Sequence, residues 1–403
     1  MYKRICNPLK TNNFFLFGGR GTGKSTLLRQ LFADMPVLWI DLLSEQEYLI
    51  FVRNLKELES RIDNFKFNGK TVIPDVVVID EIQRAPYLLN EIHRLIESPK
   101  YNQKLKFALT GSSARKLKRG SANMLAGRAF LNYLYPLTHI ELADDFNLDA
   151  VLCWGSLPTA VTAHNDDIRK EFLRSYASIY LKEEIKEEQL VRNIEPFIRF
   201  LEVAAQSNTE VINYSQIGKD CLIDSTSVER YFQILEDTLI GFFLEPFHYS
   251  VRKRQKKSPK FYFFDLGVKK ALEGSLNVPL LPKSFEYGKA FEHFIVAELM
   301  RLSHYYRKDY KFSYLRTKDN AEIDLIVERP GLPIALIEIK STHLIDESHV
   351  NTVRGFASDI KNSEAFCLSL DRNNKKIGAV NCLYWKDGVS ELGLGRPEDA
   401  REE

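Results

Sequence analysis

The sequence predicts an α/β protein: a parallel sheet with helices on both faces around a phosphate-binding loop, then a helical and winged-helix region, then a second α/β module. Three observations predict it. The segment Gly-Gly-Arg-Gly-Thr-Gly-Lys-Ser at 18–25 follows an apolar run and opens a helical pattern. Further short apolar runs without polar alternation recur to residue 138, as in strands buried on both faces. Beyond residue 277 the order is helix, three strands, helix, two strands. The 403 residues exceed the ~250–300 at which one hydrophobic core usually stops growing, so two or three domains are expected.

Five runs read as the buried strands of the first sheet: Phe14–Phe17, Val37–Ile40, Val76–Ile79, Phe107–Leu109 and Phe130–Leu131. They define a domain over 1–138, and 139–205 follows as a helical linker or lid. There a helix over Phe172–Gln189 places Phe172, Tyr176, Ile179 and Tyr180 on one core-facing stripe. Residues 206–276 have the order of a winged helix: a short helix over Ser215–Lys219, a second over Ser225–Asp237 capped by Ser225, and a two-stranded wing over Gly241–Phe264. The aromatic run Phe261–Phe264 alternates as a strand and is expected in the core.

A Pro- and Leu-rich loop, Asn277–Ser284, opens the module at 277–395. Its helices are expected over Phe285–Leu302 and Ser348–Ile360. Its strands are expected over Phe312–Arg316, Glu322–Glu328, Ile334–Ile339, Ala365–Leu370 and Ala379–Tyr384. Residues 396–403 read as a polar tail.

Composition excludes more than it identifies. Hydrophobic residues at 44% and charged residues at 27% exclude a largely disordered chain. A net charge of +2 means that any nucleic-acid contact must come from a local basic patch. The five cysteines form no C-x-x-C pair, which suits reduced thiols in a cytosol and excludes a disulfide framework. The polar residues after Met1-Tyr2-Lys3-Arg4-Ile5-Cys6 do not resemble a leader, and no apolar run is long enough for a membrane span, so a cytoplasmic protein is expected.

The sequence at 18–26 suits a nucleotide triphosphate. Gly18, Gly19, Arg20, Gly21, Thr22 and Gly23 can turn successive backbone N–H groups toward phosphate oxygens. Lys24 reaches the β and γ phosphates, Ser25 ligates magnesium, and Thr26 continues the helix start beside them. The strand Val76–Ile79 delivers Asp80, which can hold the Mg2+ through water, and Glu81, which can polarise the attacking water. ATP and Mg2+ are therefore the expected cofactors. Thr110 and Ser112, after the next strand, either sense the γ-phosphate and orient water or cap the following helix. Arg128, with Arg115 as the competing choice, can neutralise phosphoryl charge from a neighbouring subunit; a surface ion pair is the other reading of each.

Gly18–Ser25, Val77–Gln83, Leu109–Ser113 and Leu125–Arg128 together resemble the prokaryotic AAA-type ATPases that carry a C-terminal nuclease-like domain of unknown function. The resemblance spans nearly the whole chain. It implies an AAA-like sheet, a helical and winged-helix middle, a C-terminal fold like restriction endonucleases, and Arg128 as an arginine finger. The chain departs from the family in having only about a dozen residues before the first strand, which leaves the wall for adenine unassigned.

Asp324 lies in the strand Ile323–Ile326, and Glu338-Ile339-Lys340 ends the next one, the PD-(D/E)xK arrangement. Strand alternation puts Glu338 and Lys340 on one face, so Asp324 and Glu338 can share magnesium while Lys340 steadies a scissile phosphate or the nucleophilic water. Glu292 sits where the related nucleases place a supporting acidic ligand. The same residues also fit a retained fold that docks DNA or protein without cutting.

Arg252, Lys253, Arg254, Lys256 and Lys257, with Lys260, fall in the expected wing and suit either phosphate contacts or a solvated hairpin tip. Two functions therefore stand: an ATP-driven machine acting on DNA, assembled as a homo-oligomeric ring, expected as a hexamer; and a slow nucleotide-dependent signalling or defence switch whose C-terminal module recognises a partner protein.

Overall fold

The protein is described by a computed structural model covering residues 2–101, 104–113, 125, 127–180, 194–248 and 258–396. It divides into two units, one formed by Lys3–Tyr135 with Asp237–Leu239, the other by Pro136–Glu236 with Ile240–Glu403.

In the first unit β1 (Asn13–Phe17) leads into α1 (Lys24–Leu31) and β2 (Val37–Asp41). Two helices follow, α2 (Glu45–Arg53) and α3 (Glu57–Asp63), then a small hairpin of β3 (Lys66–Phe67) and β4 (Lys70–Thr71). β5 (Val76–Asp80), α4 (Leu88–Glu97), β6 (Lys106–Gly111) and β7 (Ala129–Tyr133) complete it. The five long strands pair in parallel in the order β2-β5-β6-β1-β7. Alternation sends Phe15, Phe17, Val77, Ile79, Phe107 and Leu109 into one core with Leu58, Leu88 and Ile92 of the helices. On the other face Phe14 stacks on Phe32 just past α1. Helices thus cover both faces, as parallel pairing requires.

Two of the five runs differ from expectation. β2 and β7 are edge strands, with Trp39 37%, Phe130 44% and Leu131 47% exposed. An apolar run records that a segment is a strand; its place in the sheet is set by crossovers distant in sequence.

In the second unit α5 (His139–Leu142), α6 (Leu148–Trp154), α7 (Pro158–Val161) and α8 (Asp166–Ser175) precede a π-helical turn over Tyr176–Tyr180. Tyr176 is buried in the core, whereas Ile179, expected on the same stripe, is 49% exposed. The remainder of the expected Phe172–Gln189 helix lies outside the described residues. α9 (Ile194–Gln206), α10 (Tyr214–Cys221) and α11 (Ser225–Asp237) follow. Asp224, rather than Ser225, caps α11, its carboxylate accepting from the N–H and hydroxyl of Ser227. Then come β8 (Gly241–Pro246), β9 (Lys260–Phe263), α12 (Leu266–Leu272) and α13 (Phe285–Tyr305). β10 (Lys311–Arg316), β11 (Glu322–Glu328), β12 (Ile334–Lys340), α14 (Glu347–Asp359), β13 (Ser363–Ser369), β14 (Lys375–Ile377), β15 (Val380–Tyr384) and α15 (Trp385–Glu391) follow among the described residues.

The sheet of this unit has eight strands, ordered β14-β15-β13-β12-β11-β10-β8-β9. β8 pairs in parallel with β10, so the two strands expected to form a wing extend the C-terminal sheet, and the expected boundary at 276 falls inside one unit. Phe261 and Phe263 of β9 are buried with Phe197, Phe200 and Phe232, as the strand alternation predicts.

Buried polar groups on α13 bind these parts together. His293 is buried, and desolvation pushes its pKa down to about 3, so the ring is neutral. Its Nε2–H donates to Phe263 O at 2.7 Å, while Nδ1 accepts from the Asn208 amide at 3.0 Å. Glu298 accepts from the backbone N–H of His139 at 2.6 Å, and Arg301 donates to Phe264 O at 2.5 Å. Asp265 caps α12 and also accepts from Ser156 N at 2.7 Å. Gly155 is required beside it, having φ of 71° and no room for a Cβ, which would lie 2.1 Å from the Asp265 carboxylate.

Asp371, just past β13, accepts from Asn373 N at 3.0 Å, Ile345 N at 3.1 Å and the Lys375 ammonium at 2.9 Å. Those groups, the Asn373 N–H first, hold its pKa down to about 2. A carboxylate depressed in the folded state adds stability that is present above its unfolded pKa and lost as pH falls through the folded one. Asp371→Asn is therefore expected to lower stability at neutral pH, and its difference from the parent protein, measured by urea unfolding, should shrink between about pH 4 and pH 2.

Candidate functional site

Parallel strands deliver their C-terminal ends to one edge of the sheet, and β1, β6 and β5 are neighbours there. The loop after β1 therefore faces the acidic end of β5 across the end of β6. Gly18 N bonds to Gly111 O at 3.3 Å, so the loop is tied to β6 at its first residue. Gly18 has no alternative: a Cβ would lie 2.3 Å from Leu134 O and 3.0 Å from the Thr22 hydroxyl. Gly21 and Gly23 take φ of 79° and 95°, which turns the loop into α1. The Thr22 hydroxyl closes it from inside by donating to Gly19 O at 2.9 Å. Arg20 and Thr26 lie on the same loop and first helical turn, Arg20 half-buried and Thr26 exposed.

Lys24 is 6% exposed. Its ammonium donates to Gly18 O at 2.8 Å and lies 4.0 Å from the Glu81 carboxylate. The Ser25 hydroxyl donates to Asp80 Oδ2 at 2.7 Å, and the Thr110 hydroxyl donates to Asp80 Oδ1. Glu81 has a left-handed backbone, φ 59° and ψ 48°, which turns its carboxylate away from the strand direction. That carboxylate accepts from the Gln83 amide and from Ser112 Oγ at 3.3 Å, and Glu81 N donates to Thr110 Oγ1 at 3.2 Å. Thr110 and Ser112 thus stand between the loop and the acidic pair, as expected from their strand.

The donor set fits a nucleotide and its metal ion. A buried ammonium beside a glycine-lined turn that opens a helix suits phosphate oxygens. The Ser25 hydroxyl and Asp80 carboxylate are hard oxygens, the donors Mg2+ takes. Among the described residues no group of three or more His, Cys, Asp or Glu could hold a metal ion. An ion here would have two protein oxygens, with phosphates and water for the rest.

Three participants were missed in the sequence. Arg4 donates to Thr22 O at 2.7 Å and to Tyr135 O at 2.6 Å, tying the residues before β1 to the loop. Gln83 bridges Glu81 and Ser112, and Leu134 O limits the space at Gly18. Only Gln83, two residues past the acidic pair, had a visible signal.

Arg128 lies before Ala129, which is in register with Asn13, at the edge of the sheet opposite the loop. It is 41% exposed and its guanidinium pairs with Glu97 at 2.5 Å. Arg128 is therefore no part of its own chain's site. Arg115 lies outside the described residues.

In the second unit Asp324 on β11 and Glu338 and Lys340 on β12 come together. Asp324 accepts from Ile339 N at 2.7 Å, and the Lys340 ammonium pairs with Glu338 Oε1 at 2.5 Å. Burial, then the neighbouring Glu338 and Glu292 charges, raises the Asp324 pKa well above the usual carboxylate range. Burial also raises Glu338, whose Oε2 is buried without a hydrogen-bond partner. Two crowded carboxylates with a free oxygen fit a cation, so Asp324 and Glu338 are suited to hold Mg2+.

Glu292 lies close enough for its charge to raise both Asp324 and Glu338, and it has partners of its own. Its Oε1 accepts from the Tyr262 hydroxyl at 2.7 Å and lies 3.2 Å from the Lys260 ammonium. Lys260, expected with the exposed basic wing, is 3% exposed and is neutralised by Glu292 and by Glu322 at 2.5 Å. A buried ammonium needs counter-charges, and Glu292 is one of them. Arg252, Lys253, Arg254, Lys256 and Lys257 lie outside the described residues.

The parallel sheet, the phosphate loop and the Asp80–Glu81 pair give the first unit a P-loop ATPase-like fold. Residues 10–143 match the family model of an AAA domain. Residues 145–278 match a domain of unknown function, DUF8612, and residues 287–386 another, DUF4143. The chain is 25% identical to "Uncharacterized protein Rv2008c" of Mycobacterium tuberculosis over 81% of this chain and 70% of that one. It is 23% identical to "Uncharacterized protein MJ1544" of Methanocaldococcus jannaschii, over 94% of this chain and 83% of that one. Among solved structures, the Walker-type ATPase PABY2304 of Pyrococcus abyssi aligns with a TM-score of 0.44 at 18% identity, over 64% of this chain and 90% of that one. The ORC1 protein of Aeropyrum pernix, solved with DNA, aligns with a TM-score of 0.32 at 13% identity, over 65% and 86%. No helix among the described residues is long and apolar enough to cross a membrane.

Gly18→Ala is expected to weaken nucleotide binding about tenfold or more, because the added methyl meets a backbone oxygen that cannot move without β7. Fluorescent-ATP titration reads it; unchanged affinity would mean that the loop has more room than its geometry gives.

Proposed function

We propose that the chain is a Mg2+-dependent ATPase that couples hydrolysis to the binding and remodelling or translocation of DNA. The observation that carries the first half is the meeting of Ser25 and Asp80 at 2.7 Å beside buried Lys24. Lys24 and the loop N–H groups hold the phosphates, and Ser25 and Asp80 hold Mg2+. The ion's contribution is to neutralise phosphate charge as it shifts to the leaving group. Glu81 receives the proton of the attacking water, while Thr110 and Ser112 set the direction of the two carboxylates.

The DNA half is supported by the Asp324, Glu338 and Lys340 constellation, whose cation-holding carboxylates and adjacent ammonium suit a phosphodiester. These residues grip the strand or cut it. The position of Arg128 opposite its own loop supports action on a neighbour's nucleotide, hence a head-to-tail ring with six copies expected.

A specific observation supports a second reading. The Glu81 carboxylate is already engaged by Gln83 and Ser112, the state of a slow, nucleotide-retaining switch whose second unit docks a protein or DNA without cleavage.

One assay separates these readings: ATP turnover with and without single-stranded, duplex and branched DNA, with Mg2+-dependent cleavage followed in the same tubes. The machine predicts multiple turnovers stimulated by DNA; retained nucleotide with negligible turnover favours the switch. Lys24→Ala should abolish turnover, and Glu81→Gln should retain ATP binding while slowing it about a hundredfold or more. Turnover per chain should rise with protein concentration if Arg128 acts between copies, and a flat profile would remove the ring. Where cleavage occurs, Asp324→Ala and Lys340→Ala should each eliminate it with ATPase activity intact; cleavage surviving both would place it elsewhere.

A further inference from the structure

Beyond the carboxylates, the chain leaving β12 walls a cavity of about 450 Å³, within the range of about 300–1,000 Å³ typical of ligand sites. Its polar lining is Lys283, Lys340, Ser341, Thr342, His343 and His349. Among the described residues, two lysines, two histidines and two hydroxyl residues line it and no acidic residue does; the Lys340 ammonium pairs with Glu338. On the outer side His349 has Asp346 as a partner, with Oδ1 2.8 Å from His349 Nδ1.

The walls are held in place. Thr342 O accepts from Leu370 N at 3.1 Å, and Ile345 N donates to Asp371 at 3.1 Å, pinning the segment between them to the end of β13. Lys283 precedes Ser284, which caps the 21-residue α13, and His349 lies in the first turn of the 13-residue α14. Two helix N-termini therefore add positive potential to the side chains. Lys340 belongs both to this lining and to the Asp324–Glu338 site, so an anion in the cavity lies next to those carboxylates. Leu344, 69% exposed at the rim, offers apolar surface to a sugar or base.

We propose that this cavity is a phosphate subsite for a nucleic-acid strand, which Lys283, Thr342 and His343 hold and lead past Lys340 to Asp324 and Glu338. The proposal rests on the reading that the second unit engages DNA, and it names the residues that do so apart from any cutting. Lys283 and His343 are exposed and make no contribution to the core.

The test is fluorescence anisotropy of a fluorescein-labelled single strand with the full chain, in EDTA, over a salt series. Lys283→Ala with His343→Ala is expected to weaken binding about tenfold and to flatten the slope of log affinity against log salt by about 0.7 for the lost Lys283 contact. Lys283→Arg should restore most of the slope. Unchanged affinity and slope in the double variant overturn the proposal, as does a parent chain that binds no strand. Competition with inorganic phosphate distinguishes the sources: a cavity that takes phosphate but never the strand is an ion site, and the strand proposal falls. Asp324→Ala, run alongside with Mg2+, separates the two readings. If cleavage is absent in the parent and in Asp324→Ala while the double variant still loses affinity, the subsite stands and the cutting function falls.

Discussion

The second unit depends on the buried polar face of α13. A helix can bury aliphatic side chains against almost any apolar surface, but a buried imidazole, carboxylate and guanidinium each require a partner at a defined place. His293, Glu298 and Arg301 find theirs at Phe263, Asn208, His139, Phe264 and Ser156. These belong to segments before, between and after the helices that the sequence separates into domains. Prising the helical region from the sheet would leave each group buried without its partner or wet without its bond. The eight-stranded sheet and the helices around α13 therefore behave as a single body, and β8 and β9 cannot swing as a detached wing would.

In the first unit the equivalent constraint is smaller and closer to the chemistry. Asp80 accepts from Ser25 and from Thr110, so one carboxylate fixes the relation of the loop, β5 and β6. The three pieces come from sequence positions far apart, and the parallel order of the sheet makes them neighbours. Through that carboxylate Ser25 on α1 is linked to Thr110 at the end of β6.

What was legible in the sequence was local chemistry. The glycine-rich loop and the Asp80–Glu81 strand end are each written in adjacent residues, and strands such as Glu322–Glu328 have bounds set by their own pattern. What was not legible depended on partners distant in the chain. Trp39, Phe130 and Leu131 read as buried because an edge strand and a central strand share the same apolar run. Lys260 read as one of a basic cluster, yet its surroundings are Glu292 and Glu322, which the fold delivers from α13 and β11. That pairing in turn makes Glu292 a counter-charge to Lys260 as well as a neighbour of Asp324. Asp224 and Ser225 are both good caps, and one residue of helical phase decided between them.

Arg4 shows where the nucleotide site ends. Its guanidinium spans Thr22 O and Tyr135 O, so the first residues act as a strut between the phosphate loop and the segment that leaves the sheet after β7. The strut bonds to carbonyl oxygens, which no substitution at positions 22 or 135 would remove. The coupling is therefore robust to change at one end and fragile at the other: loss of a single side chain far outside the glycine-rich motif releases both carbonyls together. In this chain a residue ahead of the first strand thus helps to shape the loop.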